Sequence, residues 1–248
     1  MWTAVSTPSG SEMGRTVLVT GGNRGIGLAV ARALVAEGHQ VAVTYRQEPP
    51  DDAEGLTPVR CDVTSGDDVD GAFAAVEEQL GSVEVLVSNA GVTADGLLLS
   101  MREEAWTSVI DTNLNAAYRV ARRATPRMIR ARWGRMIFVS SVVGLSGSAG
   151  QSNYAASKSG LVGLARSLAR ELGGRGVTVN VVAPGFVATD MTAVLSDSRQ
   201  QEILGQIPLK RMASADEVAV AVAFLASEQA GYVTGAVLPV DGGLGMGH

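Results

Sequence analysis

Short β-branched runs alternate along the chain with longer alanine-rich or amphipathic stretches. Runs of the first kind are typical of buried strands and the longer stretches are typical of helices, so the alternation predicts one α/β domain built on a parallel sheet. A hydrophobic content of 46% fits a sheet that helices cover on both faces. The predicted strands are 16–20, 40–45, 59–63, 83–88, 135–140, 177–182 and 236–240.

Helices are predicted over 28–37, 67–80, 103–132, a stretch that begins at Tyr154, and 215–226. The helical region 103–132 is expected to break around Asn113 and again near Pro126, where the backbone lacks a donor. Asn113 is a polar amide in an apolar context, so it faces solvent or bonds a specific partner. Ser214 and Glu217 have the spacing of a capping box. Residues 188–211 have a composition that suits either a substrate lid or an ordinary packed helix pair.

Charge and composition exclude several classes of protein. The net charge of -5 provides no electrostatic footprint for nucleic acid. Cys61 is the single cysteine, and the two histidines lie far apart at His39 and His248, so neither a disulfide, a zinc centre nor a histidine triad is expected. Residues 1–14 lack the features of a signal peptide and no apolar run spans a bilayer. We therefore predict a cytoplasmic protein with a flexible tail over 1–14 and a single domain over 15–248.

A glycine-rich junction connects the first predicted strand to the first helix. Gly21, Gly25 and Gly27 leave out side chains where the backbone turns tightly and where a pyrophosphate would approach a helix N-terminus. Many strand-to-helix turns need glycine for backbone reasons alone, but the position after the first strand favours a dinucleotide site. The second predicted strand, 40–45, is followed by Arg46 instead of the acidic residue that holds a ribose hydroxyl, so Arg46 and Arg24 favour NADP over NAD. The alternative is a pair of solvated loop arginines.

The following strand ends supply further candidates for the same crevice. Asp62 is placed where a strand end meets an adenine edge, and Cys61 is interpreted as a small buried hydrophobe and not as a reactive thiol. The segment Asn89-Ala90-Gly91 follows the fourth strand and lets a flat ring system lie close to the backbone. Ligands of open α/β sheets bind at these carboxyl ends.

Three polar residues form the candidate catalytic group. Tyr154 and Lys158 lie one helical turn apart on the same face, and Ser141 follows the fifth predicted strand. An unperturbed tyrosine with a pKa of about 10 is a poor acid at neutral pH unless a cation favours its phenolate, and Lys158 can supply that charge. Considered alone, the tyrosine and lysine also fit an ordinary helix start with a surface lysine.

Two surface features suggest partners. Residues 119–135 contain seven arginines and no acidic residue, which is typical of a solvated face but also of a basic patch that docks an acidic protein. Small residues on the helix after Tyr154 permit close helix packing and suggest a symmetric subunit contact. These are Ala155, Ser159, Gly160 and Gly163.

The ordered set of motifs resembles the short-chain dehydrogenase/reductases of the classical type over residues 15–248. Within them the chain is most similar to the 3-oxoacyl-[acyl-carrier-protein] reductases of type II fatty acid synthesis, in particular to the mycobacterial long-chain branch of mycolic acid synthesis. The motifs are Thr20-Gly21-x-x-x-Gly25-x-Gly27, Asn89-Ala90-Gly91, Asn113, Ser141, Tyr154-x-x-x-Lys158 and Pro184-Gly185.

This resemblance implies a Rossmann-type, doubly wound, seven-stranded parallel sheet, NADPH as cofactor and a homotetramer. It implies that Tyr154 protonates the substrate carbonyl oxygen, that Ser141 holds this oxygen, and that Lys158 binds the nicotinamide ribose and lowers the pKa of Tyr154. Asn113 would position a water that returns protons through Lys158. Arg132 and Arg175 would dock the acyl carrier protein. The expected cofactor contacts are Gly21, Asn23, Arg24, Gly25, Ile26, Gly27, Arg46, Asp62, Val63, Asn89, Ala90, Gly91, Tyr154, Lys158, Pro184, Gly185, Val187 and Thr189.

Reduction of 3-oxoacyl thioesters to 3-hydroxyacyl thioesters is the function this set predicts. Three alternatives remain open on the sequence. One is a reductase of another ketone, such as acetoacetyl-CoA, a steroid, a polyol or a quinone. Another is a non-catalytic dinucleotide sensor or scaffold, which has no need of a proton relay. The third, a nucleic-acid role, rests on the arginine run alone. Acyl chain length is not fixed by any spacing, although Phe186 and the lid residues are where it would be set.

Overall fold

The computed structural model describes residues 14–189, 192 and 197–246. They form a seven-stranded sheet in the order β3-β2-β1-β4-β5-β6-β7, and every neighbouring pair is parallel. This confirms the predicted fold class. The strands are β1 Thr16–Val19, β2 Gln40–Tyr45, β3 Leu56–Arg60, β4 Val85–Ser88, β5 Gly134–Val139, β6 Val177–Pro184 and β7 Val237–Val240.

Helices connect the strands, and a π-helical turn over Asp111–Asn115 joins the third helix to the fourth. Short 3-10 turns cover Gly173–Arg175 and Glu228–Ala230. No helix within the described ranges is both long enough and apolar enough to cross a membrane. The helices are α1 Gly25–Ala36, α2 Gly66–Gln79, α3 Glu103–Ile110, α4 Ala116–Ala131, α5 Val143–Ser146, α6 Ser152–Leu172, α7 Asp197–Gln206 and α8 Ala215–Ala226.

Each face of the sheet buries its own hydrophobic layer, which makes the domain doubly wound. Helices α2, α4 and α6 cover one face and α1 and α8 cover the other. On the first face the large buried side chains include Leu18, Phe73, Met128, Phe138 and Leu161. On the second face they include Val17, Val30, Leu34, Ile137, Val218 and Val222.

The chain reverses its winding between β1 and β4, which are adjacent in the sheet. The crevice of an open α/β sheet lies outside the carboxyl ends of the strands at such a point. Most of the predicted site motifs follow strand ends or lie at the start of the helix beside them, so the fold brings them to one edge of the sheet.

The opposite, amino edge of the sheet is closed by charged groups. Arg15 forms ion pairs at 2.7 Å with both Glu84 and Glu228. The Trp133 ring lies between two guanidinium groups, that of Arg15 at 4.1 Å and that of Arg135 at 4.4 Å from its centroid. These contacts connect the residue before β1 to the turn that follows α8.

The third strand differs from its prediction. The sequence placed it over 59–63, whereas β3 runs over Leu56–Arg60, so Cys61 and Asp62 lie beyond its end. Proline is disfavoured inside a sheet, so Pro58 does not indicate a strand. It is tolerated here because β3 lies at the edge of the sheet, paired with β2. Cys61 is buried as predicted, and burial raises the pKa of its thiol to about 12.

The predicted break near Pro126 was wrong, because α4 is continuous through this residue. Proline removes one donor from the helix, but Pro126 and Arg122, whose carbonyl loses its partner, are both exposed to water. The break around Asn113 is confirmed as the π-helical turn. The capping box is also confirmed, with Ser214 accepting from the Glu217 N–H.

Most of the predicted tail and a part of the predicted lid fall on residues that the structure leaves out. Residues 1–13 of the tail lie outside the described residues, and so do residues 190–191 and 193–196 of the lid. Within the remaining part of the lid, Ile203 and Ile207 are buried, as in a packed helix. A lid role for 188–211 stays a prediction.

Candidate active site

The glycine turn after β1 is built so tightly that two of its residues must be glycine. Gly21 has a φ of +62°, and a Cβ at this position would lie 2.9 Å from the Ala90 Cα. A Cβ on Gly27 would collide with the Gly21 carbonyl oxygen and lie 2.5 Å from the Asn89 Nδ2. The turn therefore packs directly against the segment after β4, as the predicted crevice requires.

Asn89 and Thr20 tie these two segments together. The Asn89 Nδ2 donates to the carbonyl oxygens of Thr20 and Gly21 at 3.1 and 3.0 Å. In return, the Thr20 Oγ1 accepts from the N–H groups of Asn89 and Ala90 at 3.0 and 3.1 Å. Asn89 thus fixes the shape of the glycine turn from the neighbouring strand.

Thr44 is a contributor that the sequence did not single out. Its side chain is buried, its Oγ1 accepts from the Gly21 N–H at 3.1 Å, and its carbonyl accepts from the Gly22 N–H at the same distance. A threonine inside a strand reads as an ordinary β-former, so no local signal points to this role.

The start of α1 provides the donors that a pyrophosphate needs. Its N-cap, Arg24, has an extended backbone and makes no side-chain cap, so the first-turn N–H groups have no acceptor from that residue. Gly25 has a φ of +54°, and the group nearest to a side chain placed there is the Thr189 methyl at 3.7 Å. Ile26 follows in the first turn. Helix N-termini of this kind favour anions, so the turn fits a dinucleotide.

The far wall of the crevice follows β6. A Cβ on Gly185 would lie 2.8 Å from the Asp241 Cα, so this position also requires glycine. The Pro184 carbonyl accepts from the Val142 N–H at 2.8 Å, and the Val187 carbonyl accepts from the Thr192 Oγ1 at 2.7 Å. Thr189 faces the glycine turn across the crevice. Cofactor contacts by these residues remain predictions.

The residues predicted to hold the adenosine end of the cofactor make fewer contacts with the rest of the protein than the glycine turn does. Arg46 is exposed after β2, and Asn23 in the glycine turn donates to the Glu48 carbonyl at 3.1 Å. The Asp62 Oδ1 accepts from the Thr64 Oγ1 at 2.7 Å and from the Thr64 N–H at 2.9 Å. These bonds, and more weakly the Arg46 charge, lower the pKa of Asp62. One Asp62 oxygen is thus committed to its own turn, which Val63 continues.

Ser141 and Tyr154 meet where β5 ends and α6 begins. Ser141 is buried, and its Oγ accepts from the Val143 N–H at 3.2 Å. Tyr154 is half-buried, and its hydroxyl lies close enough to Ser141 for this serine to influence its pKa. Burial raises the pKa of Tyr154, the Ser141 bond opposes this rise, and the Asp95 carboxylate adds to it. The phenol is therefore protonated at neutral pH and can serve as a proton donor.

Lys158 lies one turn after Tyr154, with its Nζ 5.6 Å from the centroid of the tyrosine ring. It is buried, and its Nζ donates to the Val139 carbonyl at 2.8 Å. Burial lowers the pKa of Lys158 to about 8. The sequence predicted that Lys158 lowers the pKa of Tyr154, but in this structure the tyrosine pKa is raised, because burial dominates and the ammonium is turned toward Val139.

Asn113 lies in the π-helical turn and is buried, which rejects the solvent-facing alternative. Its Oδ1 accepts from the Val92 N–H at 2.8 Å, and its Nδ2 donates to the Val92 carbonyl at 3.0 Å and to the Ser157 Oγ at 3.1 Å. A Cβ on Gly91 would lie 3.2 Å from the Asn113 Oδ1 and 3.4 Å from the Lys158 Nζ. Asn113 and Lys158 therefore both border the strand-end segment.

The arginine run does not form one patch. Arg119 pairs with Asp111 at 2.8 Å, and both terminal nitrogens of Arg123 bond Glu77 at 3.1 Å. Arg135 is buried at the amino edge. Arg132 is exposed at the end of α4. Gly176, the residue after Arg175, packs so closely against the Arg132 carbonyl oxygen that a Cβ at this position would collide with it. The turn that contains Arg175 therefore lies next to the C-terminal end of α4.

The structure combines a parallel, doubly wound sheet, a glycine turn after β1, and a serine, a tyrosine and a lysine where β5 ends and α6 begins. This combination defines a class of protein. Residues 21–245 match the family model described as enoyl-(acyl carrier protein) reductase. The chain belongs to the short-chain dehydrogenase/reductase family.

Its relatives are named as reductases of one kind. The chain is 58% identical over 234 residues, 94% of either chain, to the 3-oxoacyl-[acyl-carrier-protein] reductase MabA of Mycobacterium tuberculosis. It is 45% identical over 245 residues, 94% of this chain and the whole of the relative, to the reductase FabG of Staphylococcus epidermidis. The corresponding FabG of Salmonella typhimurium is 44% identical over 241 residues, 94% of this chain and 98% of the relative.

Proposed function

We propose that the protein reduces 3-oxoacyl-[acyl-carrier-protein] to 3-hydroxyacyl-[acyl-carrier-protein] in type II fatty acid elongation, with NADPH as cofactor. The observation that carries the proposal is the convergence of Ser141, Tyr154 and Lys158 at the edge that holds the glycine turn. The identity to MabA and FabG supports this substrate class.

The residues act on the substrate carbonyl as follows. NADPH supplies the hydride when it is bound. Ser141 donates a hydrogen bond to the carbonyl oxygen, and this bond strengthens as negative charge builds on that oxygen. Tyr154 donates a proton to the same oxygen. Its raised pKa keeps the phenol protonated at neutral pH, so that proton is available. Lys158 binds the ribose and returns a proton to Tyr154 from a water that Asn113 positions, and both residues lie beside Gly91.

The direct test combines purified protein, NADPH and acetoacetyl-CoA, with NADPH absorbance as readout. We expect turnover in the wild type and a loss of roughly 10²- to 10⁴-fold in kcat for Tyr154→Phe, the range for one general acid. Crotonyl-CoA serves as the matched substrate for enoyl reduction, the activity in the family description. Turnover of crotonyl-CoA alone, or an undiminished rate in Tyr154→Phe, would refute the proposal.

Other functions predict different outcomes in the same assay. A reductase of a steroid, polyol or quinone turns over its own ketone far faster than any acyl thioester. A dinucleotide sensor binds NADPH tightly without turnover on a ketone panel.

The preference for NADPH rests on the positive charges of Arg24 and Arg46 at the adenosine end. We expect Arg46→Gln to raise the KM for NADPH roughly tenfold or more, because a charge-assisted hydrogen bond to phosphate is lost, and to leave the KM for NADH unchanged. Arg32→Gln is the matched control, since Arg32 is an exposed arginine that pairs with Asp52 at 3.0 Å. Equal effects on both cofactors would contradict the preference.

Docking of the acyl carrier protein is assigned to Arg132 and Arg175. Arg132 lies before β5 and Ser141 lies after it. β5 has six residues and is therefore about 20 Å long, so this distance separates the docking arginines from the proposed catalytic groups of the same chain. We propose that carrier protein bound at these arginines serves the active site of a neighbouring subunit in the homotetramer expected from the resemblance. Sedimentation of the purified protein tests that oligomeric state.

Mixed oligomers test the docking arrangement. The double variant Arg132→Glu/Arg175→Glu is expected to lose activity on acyl carrier substrate and keep activity on acetoacetyl-CoA, whereas Arg32→Glu, which reverses the charge of an exposed arginine on α1, keeps both. Co-expression of the first variant with Tyr154→Phe is expected to restore carrier-dependent activity above that of either parent. Absence of restoration would place docking and catalysis on the same chain.

A further inference from the structure

Two polar side chains that the proposed proton transfer does not use lie on either side of Tyr154. Asn153 directly precedes it, Ser157 follows three residues later, and both are 0% exposed. Polar groups buried this completely are costly unless they are fully hydrogen-bonded. Their partners therefore show what the two residues do.

Asn153 holds the N–H side of Tyr154. Tyr154 lies in the first turn of α6, where N–H groups lack a helical acceptor, and its N–H donates to the Asn153 Oδ1 at 2.8 Å. The Asn153 Nδ2 donates to the Ala94 carbonyl at 2.9 Å and to the Ala105 carbonyl at 3.4 Å. One side chain thus fastens the tyrosine backbone to the segment after β4 and to α3.

Ser157 holds the carbonyl side of the same residue. Its Oγ donates to the Tyr154 carbonyl at 2.8 Å and accepts from the Asn113 Nδ2 at 3.1 Å. Asn113 is in turn bonded to both main-chain groups of Val92. A continuous chain of hydrogen bonds therefore runs from the strand-end segment, through Asn113 and Ser157, to the tyrosine backbone.

We propose that Asn153 and Ser157 are positioning residues, which hold the main chain of Tyr154 from both sides so that its hydroxyl stays at Ser141. The inference rests on the proposed function for the identity of the proton donor. With its Cα held in place, the tyrosine has few side-chain orientations available, and misplacement of a catalytic group by about 1 Å costs roughly 10²-fold in rate. Neither residue touches the substrate in this arrangement, so both act through Tyr154.

The variants Asn153→Ala and Ser157→Ala test the proposal against matched controls. Asn180 is also 0% exposed and bonds main-chain groups, the Val233 carbonyl at 2.8 Å and the Ala236 N–H at 3.1 Å, but it lies within β6. Ser167 donates to the Gly163 carbonyl at 3.0 Å on the exposed face of α6. We expect kcat to fall roughly tenfold or more in the two test variants, with the KM for NADPH unchanged. Asn180→Ala and Ser167→Ala keep the wild-type kcat.

Combination with Tyr154→Phe separates positioning from a general structural loss. If Asn153 acts through the phenol, Asn153→Ala lowers the residual rate of Tyr154→Phe little or not at all, because the interaction is already gone. A further tenfold loss in the double variant would overturn the proposal. Should Asn153→Ala fail to fold, Ser157→Ala in the same background decides the outcome.

A measurement without turnover distinguishes this inference from the proposed function. In ¹³C-tyrosine spectra, the Tyr154 resonance and its titration are expected to shift in Asn153→Ala and Ser157→Ala and to stay unchanged in both controls. The charged groups that face Tyr154 are the Lys158 ammonium and the Asp95 carboxylate, and neither is altered in these variants. A shift therefore reports movement of the phenol, and unshifted resonances would refute the positioning role even in an active enzyme.

Discussion

Lys158 donates from its Nζ to the carbonyl oxygen of Val139, the last residue of β5, at 2.8 Å. The side chain is buried, so the ammonium group that we propose to be catalytic is held inside the domain by a main-chain oxygen. Burial of an ammonium group is unfavourable because water solvates it better than one carbonyl does. The site therefore has a cost in stability that depends on pH.

The sign of that dependence follows from the pKa of Lys158. Burial lowers it to about 8, whereas a lysine in the unfolded chain has a pKa of about 10.4. Between these values the unfolded chain binds more protons, so the free energy of unfolding rises with pH across this window. Below pH 8 the folded protein carries the full cost of the charge.

Lys158→Met is expected to stabilise the fold at pH 7 by about 1–3 kcal/mol while it abolishes activity. The variant is also expected to lose the rise in stability between about pH 8 and 10. Urea unfolding at several pH values measures both effects. Lys210→Met is the control, because Lys210 also donates to a carbonyl at 2.8 Å but is exposed. Equal pH slopes for wild type and Lys158→Met would contradict the prediction.

Ser141→Ala should move the alkaline limit of activity upward. The hydrogen bond with Ser141 lowers the pKa of Tyr154, so its removal leaves the phenol protonated to higher pH. At the same time kcat should fall on the order of 10²-fold, because a donor to the developing oxyanion is lost. A pH profile of kcat with acetoacetyl-CoA provides both numbers. A limit that moves to lower pH would mean that Ser141 does not bond the tyrosine.

Gly27→Ala is expected to eliminate NADPH binding or folding. Its Cβ would collide with the Gly21 carbonyl and with Asn89, which are rigid parts of the turn. Gly66→Ala is the matched change, since Gly66 begins α2 and a Cβ there meets nothing within 4 Å. That variant should bind NADPH normally and be slightly more stable, because alanine is the better helix former. Fluorescence titration with NADPH and thermal unfolding distinguish the two.

Ser214→Ala should lower the free energy of unfolding by about 1 kcal/mol without a change in kcat. Ser214 accepts from the Glu217 N–H at the start of α8, and the Glu217 carboxylate bonds back to the Ser214 N–H at 2.9 Å. Ser214→Asn retains an acceptor and should recover most of the loss. Chemical denaturation measures the series, and equal stabilities for alanine and asparagine would argue against the cap.

Local patterns in the sequence were sufficient to locate the strands other than β3 and to give the spacing of Tyr154 and Lys158. Tyr154 and Lys158 share a helix, so the distance between them follows from helix geometry. The glycine turn follows from its place between β1 and α1. Neither depends on knowing how distant segments pack, which is why both were predictable.

Side-chain partners across the fold were not predictable in the same way. The sequence left open whether Asn113 faces solvent or bonds a specific partner. That partner, Ser157, belongs to α6 and comes next to the π-helical turn only in the folded structure. Arg123 finds Glu77, a residue of α2 that is 46 positions away, and so leaves the apparent basic run. The pKa of Tyr154 likewise depends on burial, which a spacing of residues does not reveal.

The pairing at the amino edge of the sheet also bears on how the chain folds during synthesis. β1 lies between β2 and β4, and Arg15 before it pairs with Glu228, 213 residues later. While Glu228 and the residues before it are still inside the ribosome, α8 is not available. The side chains of α1 that pack against α8 in the folded protein are then exposed. Nascent chains stalled before Glu228 should therefore be captured by chaperones more than released chains, because their buried side chains stay exposed until α8 is available.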